Sequence, residues 1–190
     1  ITVDTISGDT PDRGDTQIDA EVRIGRFGQL NLDGGRLIVA DRLETDGLVS
    51  GDGRIDVGYF YNRRTGDVRV GLDQSMLVVS NSDDGAITVA SIPGQSFYMG
   101  NFGLIEVLGG EIEFDRQYDA EVLDEEDMFL NYQRIGVMDT TDLRGHIFGQ
   151  DAVLRFRSGL LNRGRMSITA GDNVVEGQVI NDVGGEITVA

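Results

Sequence analysis

Glu106 and Glu113 each sit between two apolar residues, in "GLIEV" (103–107) and "GEIEF" (110–114). Brought together, they would supply the two carboxyls of a glycoside hydrolase, one of them held protonated as the acid. Nothing in either pentapeptide sets their pKa values apart, so the simpler reading is a solvated outer face. Arg155 and Arg157 in "VLRFR" (153–157) are the basic residues a polysaccharide lyase would need as proton acceptor, because the chain has no Lys. Arginine alternating along a half-buried strand is more simply an outer face. Two acidic clusters, Asp9, Asp12 and Asp15, and Asp124, Glu125, Glu126 and Asp127, offer oxygens to a hard cation. Neither has the D-x-D-x-D-G spacing of a calcium loop. Calcium is the one cofactor left open, and with it a calcium-dependent glycan-binding module. Arg13-Gly14-Asp15 matches a cell-adhesion tripeptide, a short match in a chain rich in all three residues.

Other chemistries are excluded by what is missing. There is no Cys, hence no disulfide, thiolate site or Cys nucleophile, and a Ser-His-Asp triad would rest on His146 alone. No G-x-S-x-G turn is present, and the glycines precede strands instead of opening phosphate-binding helices. A formal charge of −17, from 16 cations against 33 Asp and Glu, repels phosphate backbones and anionic lipid. Nucleic acid and membrane are therefore poor partners. No apolar run approaches the roughly 20 residues of a membrane helix.

The elements that would position these residues announce themselves as a repeat. Gly-x-apolar-x-apolar recurs as "GQLNL" (28–32), "GRLIV" (35–39), "GRIDV" (53–57), "GDVRV" (66–70), "GAITV" (85–89), "GLIEV", "GEIEF", "GRMSI" (164–168) and "GEITV" (185–189). Apolar residues two apart make a short strand with one buried face, and the leading Gly marks a corner where a Cβ would clash or φ is positive. The residues between the apolar positions then form an outward stripe: Asn31, Ile38, Asp56, Arg69, Thr88, Glu106, Glu113, Ser167 and Thr188.

An Asn precedes several copies at similar distance: Asn62, Asn81, Asn101, Asn162 and Asn181, with Asn131 in "FLNYQRIGVM" as a weaker member. Recurrence of about 19–20 residues, with two longer gaps, fits one turn of an all-β parallel β-solenoid carrying two insertions. Stacked Asn at one corner can adopt a left-handed backbone or bond its amide to the turns above and below. The expected organisation is a single domain over 1–190, with irregular insertions at 7–19 and 115–133. The only helix-compatible stretch, 118–133, lies in the second insertion.

The unit apolar-x-Asn-x-x-Gly-x-Ile-x-Val, paired in "LLNRGRMSITAGDNVVEGQVINDVGGEITVA" (160–190), resembles the β-helical repeats of bacterial surface proteins, namely autotransporter passenger domains and filamentous-haemagglutinin-like adhesins. The resemblance covers about 20–114 and 145–190. It implies an extracellular or cell-surface β-helix and carries over no catalytic residue. The 190 residues include no membrane barrel or secretion domain of those families, which reads as an excised piece or a processed subunit.

The chain starts Ile1-Thr2-Val3 and closes on Ile187-Thr188-Val189. A solenoid ending on a repeat strand leaves an apolar cross-section and unpaired backbone groups. With Ile1, Val3, Ile187 and Val189 at the two ends, the sequence reads as a structural or adhesive solenoid assembling head to tail into a fibre or layer. A carbohydrate-active β-helix is the alternative.

Overall fold

A computed structural model describes residues 2–4, 15–81, 87–88, 96–116, 128–134 and 143–190. The chain is a parallel β-solenoid with three sides per coil. Strands on the first side are Thr2–Asp4, 29–33, 48–52, Asp67–Val70, Leu104–Leu108, His146–Gln150, Arg165–Thr169 and Glu186–Val189, each paired in parallel with the next. The second side runs from Asp15–Ile18 through 36–39, 53–57, Ser75–Ser80, Glu111–Arg116 and Val153–Phe156 to Val174–Glu176. The third runs from Val22–Ile24 through 42–45, 59–62, Met99–Asn101, Phe129–Arg134 and Leu160–Arg163 to Val179–Asn181. No helix occurs among the described residues.

Alternation with period two turns one residue in each pair inward, and the inward set fills the lumen: Leu30, Val49, Val68, Ile105, Ile147 and Met166 on the first side are at most 2% exposed. Four aromatics interlock between the second and third sides. Phe114 lies 4.1 Å from Phe129 and 5.9 Å from Phe156, and Phe60 closes the group at 6.0 Å from Phe114. Aromatic pairs at such distances add stabilisation beyond their buried area.

The two reasons for a corner glycine fall at two different corners. Between the third and first sides, Gly28, Gly47, Gly66, Gly103, Gly145, Gly164 and Gly185 precede the strands, and none has positive φ. A Cβ on Gly66 would overlap the Thr45 carbonyl oxygen and Asn62 Oδ1, and one on Gly103 the Gly66 carbonyl oxygen. Between the first and second sides the reason is conformational. Gly34 and Gly109 both sit at φ 72°, and Asp73 (58°) and Asp151 (49°) adopt the same left-handed region in other coils.

The described coils depart from the sequence expectation in three places. Asp15–Ile18, placed in the first insertion, is a strand pairing with 36–39, and Glu111–Arg116 and Phe129–Arg134 carry strands into the second. Asn81 does not stack with the other Asn: it is exposed at the end of the second-side strand Ser75–Ser80, and Asn62 pairs directly with Asn101. Ile87–Thr88 pairs antiparallel with Ser96–Phe97 in a separate two-stranded sheet, so these two residues of "GAITV" are not part of a coil strand. The Asn spacing misled because "VSNSDDG" has the local signature of the third-side corner. The helix-compatible residues 118–127 lie outside the described residues.

Gly66→Ala is expected to destabilise the fold by about 2 kcal/mol or more, within the range for forced overlap in a packed site. Gly25→Ala, where a Cβ meets nothing within 4 Å, is expected to be neutral to within about 0.5 kcal/mol. Urea unfolding of the two variants beside the parent checks the contrast.

Candidate functional site

The outward stripe is divided between two sides. Asn31, Arg69, Glu106, Ser167 and Thr188 line the first, while Ile38, Asp56 and Glu113 line the second, and Thr88 is in the antiparallel pair. Glu106 and Glu113 thus stand on different faces, each beside a guanidinium. Arg69 Nε lies 3.4 Å from Glu106, and Arg157 donates two hydrogen bonds to Glu113, at 2.9 and 3.1 Å. Arg157 has its pKa raised by that hydrogen bond. Arg155 spans coils between Glu111 and Glu176, with 2.7 Å to Glu176. Each of these carboxylates is engaged by a guanidinium on its own side. His146 Nε2 is 3.0 Å from Ser167 Oγ, on the first side.

The second side's ion pairs form a ladder up the rod. Arg36 reaches Asp15 at 3.4 Å and Asp56 at 2.5 Å, and Arg54 reaches Asp56 at 2.6 Å. The Asp56 residue is only 3% exposed. Burial pushes its carboxyl up, yet hydrogen bonds from Arg54 and Arg36 together outweigh burial and hold it below the ordinary 3.8. A depressed native pKa contributes stability that is present above the unfolded value and lost as pH falls through the native one.

The most ordered polar feature is inside. Asn62, Asn101, Asn131 and Asn162 are fully buried, and each donates Nδ2–H to the Oδ1 of the Asn in the next coil. The distances run 2.7, 2.9, 2.8 and 2.7 Å, ending on Asn181. The residues joined are 39, 30, 31 and 19 apart in sequence. Each Nδ2 also bonds a main-chain carbonyl one coil on: Leu104 at 3.0 Å, His146 at 3.3 Å, Arg165 at 3.0 Å and Glu186 at 3.3 Å. None of the five has positive φ, so of the two roles open to a corner Asn these serve amide bonding. The ladder starts abruptly. In the coil before Asn62 the position is Thr45, whose hydroxyl donates to Gly47 O, and Asn62 Oδ1 is buried with no hydrogen-bond partner among the described residues. Thr45 lacks the Asn by which the repeat marks this corner in the sequence.

Of the calcium candidates, Asp9, Asp12, Asp124, Glu126 and Asp127 lie outside the described residues, as do Arg13 and Gly14. Asp15 is described and faces Arg36. Among the described residues no group of three or more His, Cys, Asp or Glu could hold a metal ion.

At the C-terminal coil the inward residues are open. Ile187 is 41% and Val189 77% exposed, against 2% for Met166 and 6% for Ile168 one coil earlier. Val175 and Val179, which the sequence reading left out, are inward residues of the same coil and are 37% and 36% exposed. Their signal was present in the register, since they continue the rows of Leu154 and Leu160. At the other end, Val3 is described only as backbone, pairing with Leu32, and Ile1 is outside the described residues. Val22 and Ile24 there are 9% and 6% exposed.

Fold and interior together define a parallel β-solenoid with an asparagine ladder. No protein-family model, curated protein or solved structure matches the chain.

Asn131→Ala removes a central rung, taking from Asn101 its side-chain acceptor and from Asn162 its amide donor; a loss of about 1–3 kcal/mol is expected in chemical unfolding, against no measurable change for Asn81→Ala. Thr45→Asn supplies the missing donor to Asn62 Oδ1 and is expected to stabilise by about 1 kcal/mol in the same assay. Asp56→Asn is expected to flatten the loss of stability on acidification below the carboxylate range, read as unfolding midpoint against pH.

Proposed function

We propose that the chain is an extracellular structural β-solenoid whose work is end-to-end self-assembly into a filament or layer. The observation that carries this reading is the exposure of the inward residues Val175, Val179, Ile187 and Val189 in the last described coil, against the burial of Leu154, Leu160, Met166 and Ile168 one coil earlier. Fully burying a side chain of this kind gains about 1.5–3 kcal/mol, and the three strands beside them pair, among the described residues, only with the preceding coil. Occupants of such an edge are strands of the same spacing, which a second copy carries. The long faces work against lateral contact: the chain has a charge of −17, and its outward carboxylates on the second side already hold arginines. The likeness of the repeat to bacterial surface β-helices agrees with a surface role. No described contact favours the carbohydrate-active or calcium-dependent glycan-binding alternatives over this one.

Filaments are expected in negative-stain images of the purified chain at micromolar concentration, more abundant at higher ionic strength because screening weakens repulsion between like-charged rods. The double variant Ile187→Asp/Val189→Asp is expected to stay monomeric in sedimentation while keeping its far-UV circular dichroism. A parent chain that sediments as a monomer throughout would overturn the reading.

A further inference from the structure

The corner between the third and first sides differs in length from coil to coil. Arg63, Arg64 and Thr65 separate Asn62 from Gly66, whereas Asp46 alone separates Thr45 from Gly47, and Phe102 alone separates Asn101 from Gly103. The strands that follow stay in register, Asp67 pairing with Leu48 on one flank and Leu104 on the other. The extra residues therefore stand out from the rod. Gly66 N bonds back to Arg63 O at 2.8 Å and closes the turn, while Thr65 Oγ1 donates to Asp46 O at 3.0 Å and ties it to the preceding coil. Toward the following coils the overhang leaves a notch of about 310 Å³, bounded by Arg64 and by the bare backbone of Gly66 and Gly103.

One wall of the notch is a single outward row of the first side, Asp67, Leu104 and His146 on successive rungs. A carboxylate and an imidazole thus stand two rungs, ~9.6 Å, apart along the row with one apolar side chain between them. Both are held in place. Arg69 Nη2 lies 2.5 Å from Asp67 Oδ2, and Ser167 Oγ lies 3.0 Å from His146 Nε2. Asp67 Oδ1 is buried and has no hydrogen-bond partner among the described residues. Arg63 is taken up by Glu44 and Asp46, whereas Arg64 makes no ion pair among the described residues.

This set of groups selects its ligand. A guanidinium only donates and a carboxylate only accepts, while an imidazole can do either. An anion is opposed by Asp67 and by the overall charge of −17, and a cation is opposed by Arg64. A purely apolar group would cover both charges without bonding either. A hydroxyl donates and accepts through one atom, so a neutral ring bearing several of them meets both demands and lays its C–H face on Leu104. We infer that the notch binds one unit of a neutral saccharide, with Arg64 donating to it, Asp67 accepting from it and His146 closing the far end of the row. Its volume is at the low end for ligand sites, which start near ~300 Å³, and suits a single ring. The site lies in the middle coils and is independent of self-assembly.

The test is an amide NMR titration of the full-length, nitrogen-15-labelled chain with glucose, galactose, mannose and N-acetylglucosamine. Where the parent forms filaments, the Ile187→Asp/Val189→Asp variant replaces it, since those substitutions lie two coils beyond His146. At least one sugar is expected to shift the amides of Gly66, Gly103 and Leu104 with a millimolar dissociation constant, as befits a small ligand held by few groups. Arg64→Ala is expected to weaken that binding about tenfold or more, the loss of one charged hydrogen bond. Arg26→Ala, at an exposed corner of another coil, is expected to leave it unchanged, and both variants to keep the parent's circular dichroism. No shift with any of the four sugars, shifts confined to other amides, or equal affinity in Arg64→Ala would overturn the inference. The same amides responding to inorganic phosphate or acetate and not to sugar would also overturn it, and would assign the notch to anions.

Discussion

At one corner of this protein, successive coils lie so close that no β-carbon fits between them. The carbonyl oxygen of one coil occupies the volume a side chain would need in the next, from Gly47 to Gly185. That contact fixes where each coil begins its first-side strand and lets the backbone of one turn bond the next, as from Leu48 N to Gly28 O and Asp67 N to Gly47 O. It also leaves a polar corner inside the rod with carbonyl groups that water cannot reach. The asparagine ladder answers that need, each amide bonding the next amide and a main-chain oxygen. Glycine and asparagine at this corner are therefore one device: the first permits the approach and the second satisfies what it buries.

The outer faces follow a different rule. Their residues vary from coil to coil, and they are tied by ion pairs that cross coils rather than by identity: Arg36 with Asp15 and Asp56, Arg157 with Glu113, Arg163 with Asp182. Most of these pairs are partly exposed and contribute modestly. Asp56 is the exception, being buried between two guanidiniums. This arrangement spends most of the chain's 16 arginines on its own carboxylates and leaves the surplus negative charge on the surface.

The repeat, the solenoid and the inward residues were legible because side-chain period and corner glycine are local properties. What could not be read was which side a given pentapeptide belongs to. "GRLIV", "GRIDV" and "GEIEF" form second-side strands, whereas "GQLNL", "GDVRV" and "GRMSI" form first-side strands, and the pattern is the same for both. Asn81 was misplaced for this reason: its local sequence fits the ladder corner, and only long-range pairing shows that it ends a second-side strand, its N–H bonded to Val57 O. The same ambiguity brought Glu106 and Glu113 onto one imagined stripe. The open terminal coil was half visible, because Ile187 and Val189 belong to the repeat while Val175 and Val179 reveal themselves only through their partners one coil back.

The ladder has a direction. From Asn62 to Asn162 every ladder amide points its N–H toward the higher-numbered coil, so the side-chain dipoles add along the axis instead of cancelling. Chains of hydrogen bonds polarise one another, and the sum sits on fully buried side chains, where screening is weak. One end of the ladder thereby carries an orphaned oxygen at Asn62, two coils in from the first described third-side strand, and the other ends in the amide of Asn181, which turns back to its own Gly185 carbonyl at 3.1 Å. A rod built this way is an electrical vector: an external field, or the field of a neighbouring rod, distinguishes its two orientations even where its outline does not.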